Sequence, residues 1–206
     1  MKLAVIGGGS TYTPELIDGV IKRHARLPIT HIHLVDIEPT KLEIIATFAK
    51  RMIKAANVDI EIEYGTDLRA GVRGASFVVS QFRVGTQAAR HRDELLGRKY
   101  GLVGQETVGV GGFAKALRTI PVALKVAQTI AEEAPHAILL NFTNPAGLIT
   151  QALIQQVPQL TTVGLCNVPW NTRMEVADAM GVSSTEVNFD YIGLNHLSWI
   201  RGVEIN

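Results

Sequence analysis

Met1-Lys2-Leu3-Ala4-Val5-Ile6-Gly7-Gly8-Gly9-Ser10-Thr11-Tyr12-Thr13-Pro14-Glu15 is the stretch whose reading decides the fold. An apolar run collides with three glycines and then turns into a helix start. Residues 3–6 read as a short buried strand. Gly7 and Gly9 take the first two places of a G-x-G turn, where a side chain would block both the tight bend and the approach of a pyrophosphate. Thr13 is placed to cap the following helix, and Pro14 suits its first turn, where no backbone donor is needed. Leu16, Ile17, Val20 and Ile21 then mark one apolar face. The free N–H groups at such a helix start attract phosphate, with Ser10 and Thr11 beside them. Tyr12 stands where the third glycine of the dinucleotide fingerprint is expected.

The second half of that signal is His31-Ile32-His33-Leu34-Val35-Asp36-Ile37-Glu38, a strand whose end carries a carboxylate. In a dinucleotide fold the second strand ends beside the first glycine turn. Asp36 there would accept from an adenosine ribose hydroxyl and oppose a 2′-phosphate, favouring NAD over NADP. The competing role for Asp36 or Glu38 is to cap the helix that begins near Pro39.

Outward from this pair, apolar segments alternate with helical ones. Strands are expected at 3–6, 31–36, 60–64, 77–82, 137–142 and 161–165, and helices at 14–26, 40–56, 87–99, 113–133, 146–156 and 170–180. Such alternation builds an α/β fold, a Rossmann-type doubly wound parallel sheet whose ligands gather at the carboxyl ends of the strands. After about residue 186 two strand-like runs, 187–193 and 196–203, follow without a helix between them. The expected division is therefore an NAD-binding domain over 1–185 and the start of a mixed second domain over 186–206, with its remainder absent.

The 206 residues are 47% hydrophobic and 19% charged, with a net charge of +1. That composition suits a globular core and makes no case for nucleic acid or an anionic membrane, so a small-molecule ligand is expected. Residues 1–9 are too short and glycine-rich for a signal peptide, and no run reaches spanning length; the expected compartment is the cytoplasm. The single cysteine, Cys166, excludes an internal disulfide and leaves a thiol that serves as core filler, nucleophile or ligand.

The residues just after each strand carry the candidate chemistry. Arg83, Arg90 and Arg92 follow the fourth strand, and guanidinium grips phosphate with a planar fork; the alternative is a solvated helix face paired with Asp93 and Glu94. The glycine-rich stretch Gly109-Val110-Gly111-Gly112 could let backbone approach a ligand. Asn141-Phe142-Thr143-Asn144-Pro145 sets two amides beside the crevice, and an amide that both accepts and donates suits a polyol. Cys166-Asn167-Val168-Pro169 closes the sixth strand, thirty residues before Gly193-Leu194-Asn195-His196. A thiolate with an imidazole would by softness alone suggest zinc.

Taken together, Gly7-Gly8-Gly9-Ser10-Thr11-Tyr12-Thr13-Pro14, Gly104-Gln105-Glu106-Thr107, Asn141-Phe142-Thr143-Asn144-Pro145, Cys166-Asn167-Val168-Pro169 and Gly193-Leu194-Asn195-His196 closely resemble glycoside hydrolase family 4, over essentially the whole chain. Cys-Asn-x-Pro and the segment around Arg90 resemble its 6-phospho-β-glucosidase branch, whereas α-acting members typically carry Asp after the Cys. NAD-dependent members of this family stand outside the two-carboxylate scheme of glycoside hydrolysis. The resemblance implies redox-assisted elimination. NAD⁺ takes hydride from C3 of a phosphosugar, the ketone acidifies the C2 proton, a base removes it, and the C1 aglycone leaves. Water then adds at C1 and NADH returns the hydride.

The resemblance also implies one divalent metal, Mn²⁺ rather than zinc, on residues matching Cys166 and His196 with hard oxygens from the sugar completing the shell, where it would act as a Lewis acid. Carried over by position, Arg90 is a 6-phosphate contact, and Asn144 and Asn167 contact sugar hydroxyls. Gly7, Gly9, Ser10, Thr11 and Asp36 make up the cofactor site. Family members are roughly twice as long, and their catalytic base tyrosine is expected beyond Asn206; a homo-oligomer, dimer or tetramer, is expected as well. The rival readings are an NAD-dependent 2-hydroxy acid dehydrogenase of the lactate and malate type, which lacks its Asp-His relay here, and a non-catalytic NAD-binding module.

Overall fold

A computed structural model describes residues 1–206. In chain order the elements are β1 (Lys2–Ile6), α1 (Thr13–Arg23), β2 (His31–Val35), α2 (Pro39–Ala56), β3 (Glu61–Gly65), α3 (Leu68–Val72), β4 (Phe77–Ser80), α4 (Thr86–Lys99), α5 (Gly109–Glu133), β5 (Ile138–Asn141), α6 (Ala146–Gln156), β6 (Thr162–Gly164), α7 (Val168–Met180), β7 (Val187–Leu194) and β8 (Leu197–Ile205). Six strands form one sheet in the order β3-β2-β1-β4-β5-β6, every neighbouring pair parallel. The order reverses between β1 and β4, which opens the crevice where a doubly wound sheet takes its ligand.

Period-two alternation explains why the sheet is covered on both faces. Leu3 and Val5 of β1 join Ile32 and Leu34 of β2 in a cluster closed by Ile17 and Val20 of α1 and by Leu42, Ala46, Ala49 and Ile53 of α2. Ala4 and Ile6 point the other way, into a second cluster with Val72 of α3, Ala127 and Ile130 of α5, and Ile149 and Leu153 of α6. No helix is long and apolar enough to cross a membrane.

Several boundaries differ from the sequence expectation. Helix α3 was not expected: five residues are too few to show a period, and the helix is held by Asp67, whose side chain accepts from Arg69 N and Ala70 N. Helix α5 begins at Gly109, four residues before the expected start, because glycine is a poor helix former that is here selected by packing. A Cβ at Gly111 would lie 2.8 Å from Asp93 O, and one at Gly112 would lie 2.7 Å from the Thr107 carbonyl carbon. The glycine-rich stretch is thus a close helix contact rather than a ligand loop. Strand β6 is only three residues long, and β7 pairs with β8 as a separate antiparallel hairpin against α7.

Candidate functional site

The glycine loop leaves β1 with Gly7 at φ 90°. Gly7 needs that freedom and has no room for a side chain: a Cβ would sit 2.9 Å from the Phe82 backbone. Gly7 N and Gly8 N both donate to Val35 O at 2.9 Å. Gly9 N donates to Asp36 Oδ2 at 2.9 Å, and Glu38 N donates to Asp36 Oδ1 at 3.2 Å. Asp36 therefore braces the loop against the end of β2, at the edge where a ribose would lie, and the cap residue of α2 is Glu38, whose side chain makes no cap bond. Ser10 Oγ accepts from Tyr12 N at 3.2 Å, and the Thr11 N–H bonds to nothing within the chain.

Thr13 does not cap α1. It is the first helical residue, Tyr12 holds the cap position, and the Thr13 hydroxyl points back to Gly8 O at 2.9 Å. Tyr12, in the place of the third glycine, stacks on Phe142 with ring centroids 5.3 Å apart, which ties the loop to the end of β5.

Beyond β4, the charged residues close on one another. Glu106 accepts both guanidinium nitrogens of Arg83, takes Lys115 Nζ at 2.6 Å, and has Arg90 Nη1 at 3.7 Å. Burial alone would raise the Glu106 carboxyl, but the hydrogen bonds and charges of Arg83 and Lys115 overcome it and hold the group at about 2. Lys115 is 2% exposed, and burial lowers its ammonium pKa against the opposing pull of Glu106. Arg90 also donates through Nε to Glu94 Oε1 at 2.8 Å, and Arg118 makes a two-nitrogen pair with Asp93. Arg83 is thus committed to an ion pair, Arg92 is exposed, and Arg90 is the half-exposed guanidinium at the rim of the cluster.

The two amides after β5 separate in role. Asn141 is 1% exposed and fully engaged: its Oδ1 accepts from Ser80 Oγ at 2.9 Å and its Nδ2 donates to Thr150 Oγ1 at 3.0 Å. It ties β4, β5 and α6 together and cannot read a sugar. Asn144 is half-buried, and its Oδ1 accepts from Ala146 N at 3.3 Å at the start of α6.

Cys166 and His196, thirty residues apart, meet with Sγ 3.5 Å from Nε2. Cys166 follows the carboxyl end of β6, and Val168 N donates to its sulfur at 3.4 Å. His196 is carried in from outside the main sheet by the two-residue turn between β7 and β8, where it adopts φ 58°. Asn195 beside it reaches the start of α6: a Cβ on Gly147 would lie 3.7 Å from Asn195 Cβ. No third His, Cys, Asp or Glu joins the pair. Asn167 is exposed at the cap position just before α7, with no side-chain cap bond.

Two functional candidates went unseen in the sequence. Gln81 donates to Thr13 Oγ1 at 2.8 Å and to Gly7 O at 3.3 Å, and Glu106 gathers cations from 23 residues before it and 9 after it. Gly104-Gln105-Glu106-Thr107 drew notice as a motif, but nothing in its spacing names Arg83 or Lys115 as partners.

Comparison with known proteins gives this edge of the sheet a context. The family described as Family 4 glycosyl hydrolase matches residues 2–182. A Bacillus subtilis (strain 168) protein named "Probable 6-phospho-beta-glucosidase" is 49% identical over 199 residues, covering 96% of this chain and 45% of its own length. The structure of the Thermotoga maritima 6-phospho-beta glucosidase with manganese, NAD+ and glucose-6-phosphate superposes with a TM-score of 0.93 at 38% identity, covering all of this chain and 50% of that one. The chain spans about half the length of the relatives it matches. Lactate dehydrogenase from Eimeria maxima, with a TM-score of 0.71 at 16% identity, shares the Rossmann-like fold alone.

Proposed function

The chain belongs to family 4 of the glycosyl hydrolases, and from that premise we propose that it is the cofactor-binding part of an NAD- and divalent-metal-dependent 6-phospho-β-glucosidase. The observation that carries this reading is the convergence of Cys166 Sγ and His196 Nε2 at the carboxyl edge of a dinucleotide sheet. A lactate- or malate-type dehydrogenase has no use for such a pair. The domain division is also ours: 1–185 for the cofactor and 186–206 opening a second domain. A site that depends on the single thiol of Cys166 calls for a reducing compartment, which is why we assign the protein to the cytoplasm.

The residues present fit both groups. Gly7 and Gly9 keep side chains out of a loop whose Thr11 N–H is unpaired, and Asp36 stands beside it for the ribose. For the metal, one sulfur and one imidazole nitrogen of this chain meet, and positions left open beside them suit sugar and water oxygens, as Mn²⁺ prefers. When bound, the nicotinamide supplies a hydride acceptor for the sugar's C3 carbon and the metal supplies positive charge beside its C2 and C3 oxygens. The chain's own residues bind and orient. Arg90, at the open rim of the Glu106 cluster, is assigned to the 6-phosphate, and Asn144 and Asn167 to sugar hydroxyls.

The test uses the protein at its full natural length, with p-nitrophenyl 6-phospho-β-glucoside in D₂O. Turnover should need NAD⁺ and Mn²⁺ without net NADH, should place deuterium at C2 of glucose 6-phosphate, and should fall away, with added Mn²⁺ failing to restore it at wild-type concentrations, when Cys166→Ser or His196→Ala is made. Product free of C2 deuterium, formed equally well after both cofactors are stripped, would overturn the reading.

A further inference from the structure

We propose that Gln81 is a positioning residue for the cofactor, locking the glycine loop from the far side of the crevice into the shape that receives a pyrophosphate. The inference rests on the reading of that loop as the NAD⁺ site. A loop cradles phosphate only when its N–H groups face the ligand and its carbonyl oxygens are turned away. Here two of the three glycine carbonyls ahead of the helix are pinned. Gly7 O accepts from Ser10 N at 3.1 Å and from Gln81 Nε2 at 3.3 Å, and Gly8 O accepts from Thr13 Oγ1 at 2.9 Å.

The direction of these bonds is forced. Gln81 Nε2 also donates to Thr13 Oγ1 at 2.8 Å, so the one hydroxyl proton of Thr13 has to go to Gly8 O. Thr13 is 0% exposed, and water cannot stand in for either partner. Gln81 is itself fixed, since its backbone N donates to Ile6 O at 2.9 Å, and its own backbone lies within 2.9 Å of where a Gly7 side chain would begin. The relay Gln81 to Thr13 to Gly8 thus holds the Gly7–Gly8 and Gly8–Gly9 peptide planes, just ahead of Thr11, whose N–H has no partner within the chain. Asp36 braces the same loop from the ribose side through Gly9 N. The two braces divide the cofactor: Asp36 serves adenosine and Gln81 serves the pyrophosphate.

That division sets the experiment. Affinities of the full-length protein for NAD⁺, ADP and adenosine are measured by calorimetry in the wild type and in Gln81→Leu. The variant should bind ADP and NAD⁺ about tenfold more weakly, the scale of one or two lost hydrogen bonds, with adenosine unchanged. Thr13→Val should match it, Thr13→Ser should retain wild-type affinity, and Gln81→Leu with Thr13→Val should lose no more than either alone because both cut one relay. The Thr13 pair carries the test if Gln81→Leu does not fold. Unchanged ADP affinity, or an equal loss for adenosine and ADP, would overturn the proposal. Failure of the wild type to bind NAD⁺ would instead overturn the cofactor reading beneath it.

Discussion

Residues up to Leu160 and the residues after it are held in different ways. The first region contains both apolar clusters, each closed on one face of the parallel sheet. After Leu160 only Ala177 and Val187 are buried. On one face of the hairpin Ile192 stands opposite Trp199 and Leu194 opposite Leu197, yet Leu194 is 72% and Trp199 62% exposed. A two-stranded hairpin has little stability of its own. The nucleotide loop therefore rests on a packed core and is braced from three strand ends, whereas the Cys166–His196 pair joins a three-residue strand to a lightly anchored turn. A cofactor can meet a finished surface in the first region. In the second, Cys166 and His196 meet with no third His, Cys, Asp or Glu of the chain beside them.

Truncation should separate the regions most sharply. Leu34 of β2 is fully buried in the cluster that α1 and α2 close, so Leu34→Ala should cost about 4 kcal/mol in urea unfolding, the transfer term plus the cavity left behind. Trp199→Ala, although it removes a far larger side chain, should change stability by less than about 0.5 kcal/mol. Comparable losses would mean that the hairpin is as firmly packed as the sheet.

The sequence reading succeeded in that first region for the reason that makes it stable. A buried parallel strand must be a short apolar run, and the glycines and Asp36 follow such runs directly, so the order of elements and the nucleotide turn were legible. What escaped were contacts between distant residues. Gln81 and Thr13 lie 68 residues apart, and Arg83 lies 23 from Glu106, so no local pattern announces either bond. Asn141 and Asn144 looked alike as polar residues after a strand, and only the fold shows one buried and the other half-exposed. Cys166 and His196 were set side by side as a thiolate and an imidazole after strands, and the family resemblance changed the ion they would hold from zinc to Mn²⁺; the turn that brings them together has no periodicity to read.

The Glu106 cluster gives a second, somewhat smaller test of the packed region. Glu106 titrates at about 2 instead of 4.5, which at 1.4 kcal/mol per unit corresponds to roughly 3 kcal/mol of stabilisation from its ionised form. Because the folded value is depressed, that contribution is whole above about 4.5 and is lost as pH falls toward 2. Glu106→Gln should therefore be less stable than wild type by roughly 3 kcal/mol near pH 6, leaving Lys115 buried without its partner, and most of the gap should close by about pH 2. Replacing Lys115 with Met in the same variant should recover much of the loss. A gap independent of pH would assign the cost to packing instead of charge.

The smallest effect should appear in the turn itself, with its sign reversed. His196 occupies the left-handed region at φ 58°, where a residue with a Cβ is strained and glycine is not. His196 is exposed, so its removal opens no cavity, and its contact with Cys166 at 3.5 Å is its one side-chain hydrogen bond. His196→Gly should consequently stabilise the unliganded chain by about 1 kcal/mol, seen as a rise of about 2–4 °C in Tm. His196→Ala, which keeps the Cβ at the same φ, should show no such rise, and both variants should lose Mn²⁺ binding in the full-length protein. If His196→Gly gains nothing over His196→Ala, the turn holds histidine without strain. If it gains, the weakly packed region gives up stability to keep an imidazole beside Cys166, a trade that folding alone would not select and that a ligand role for His196 explains.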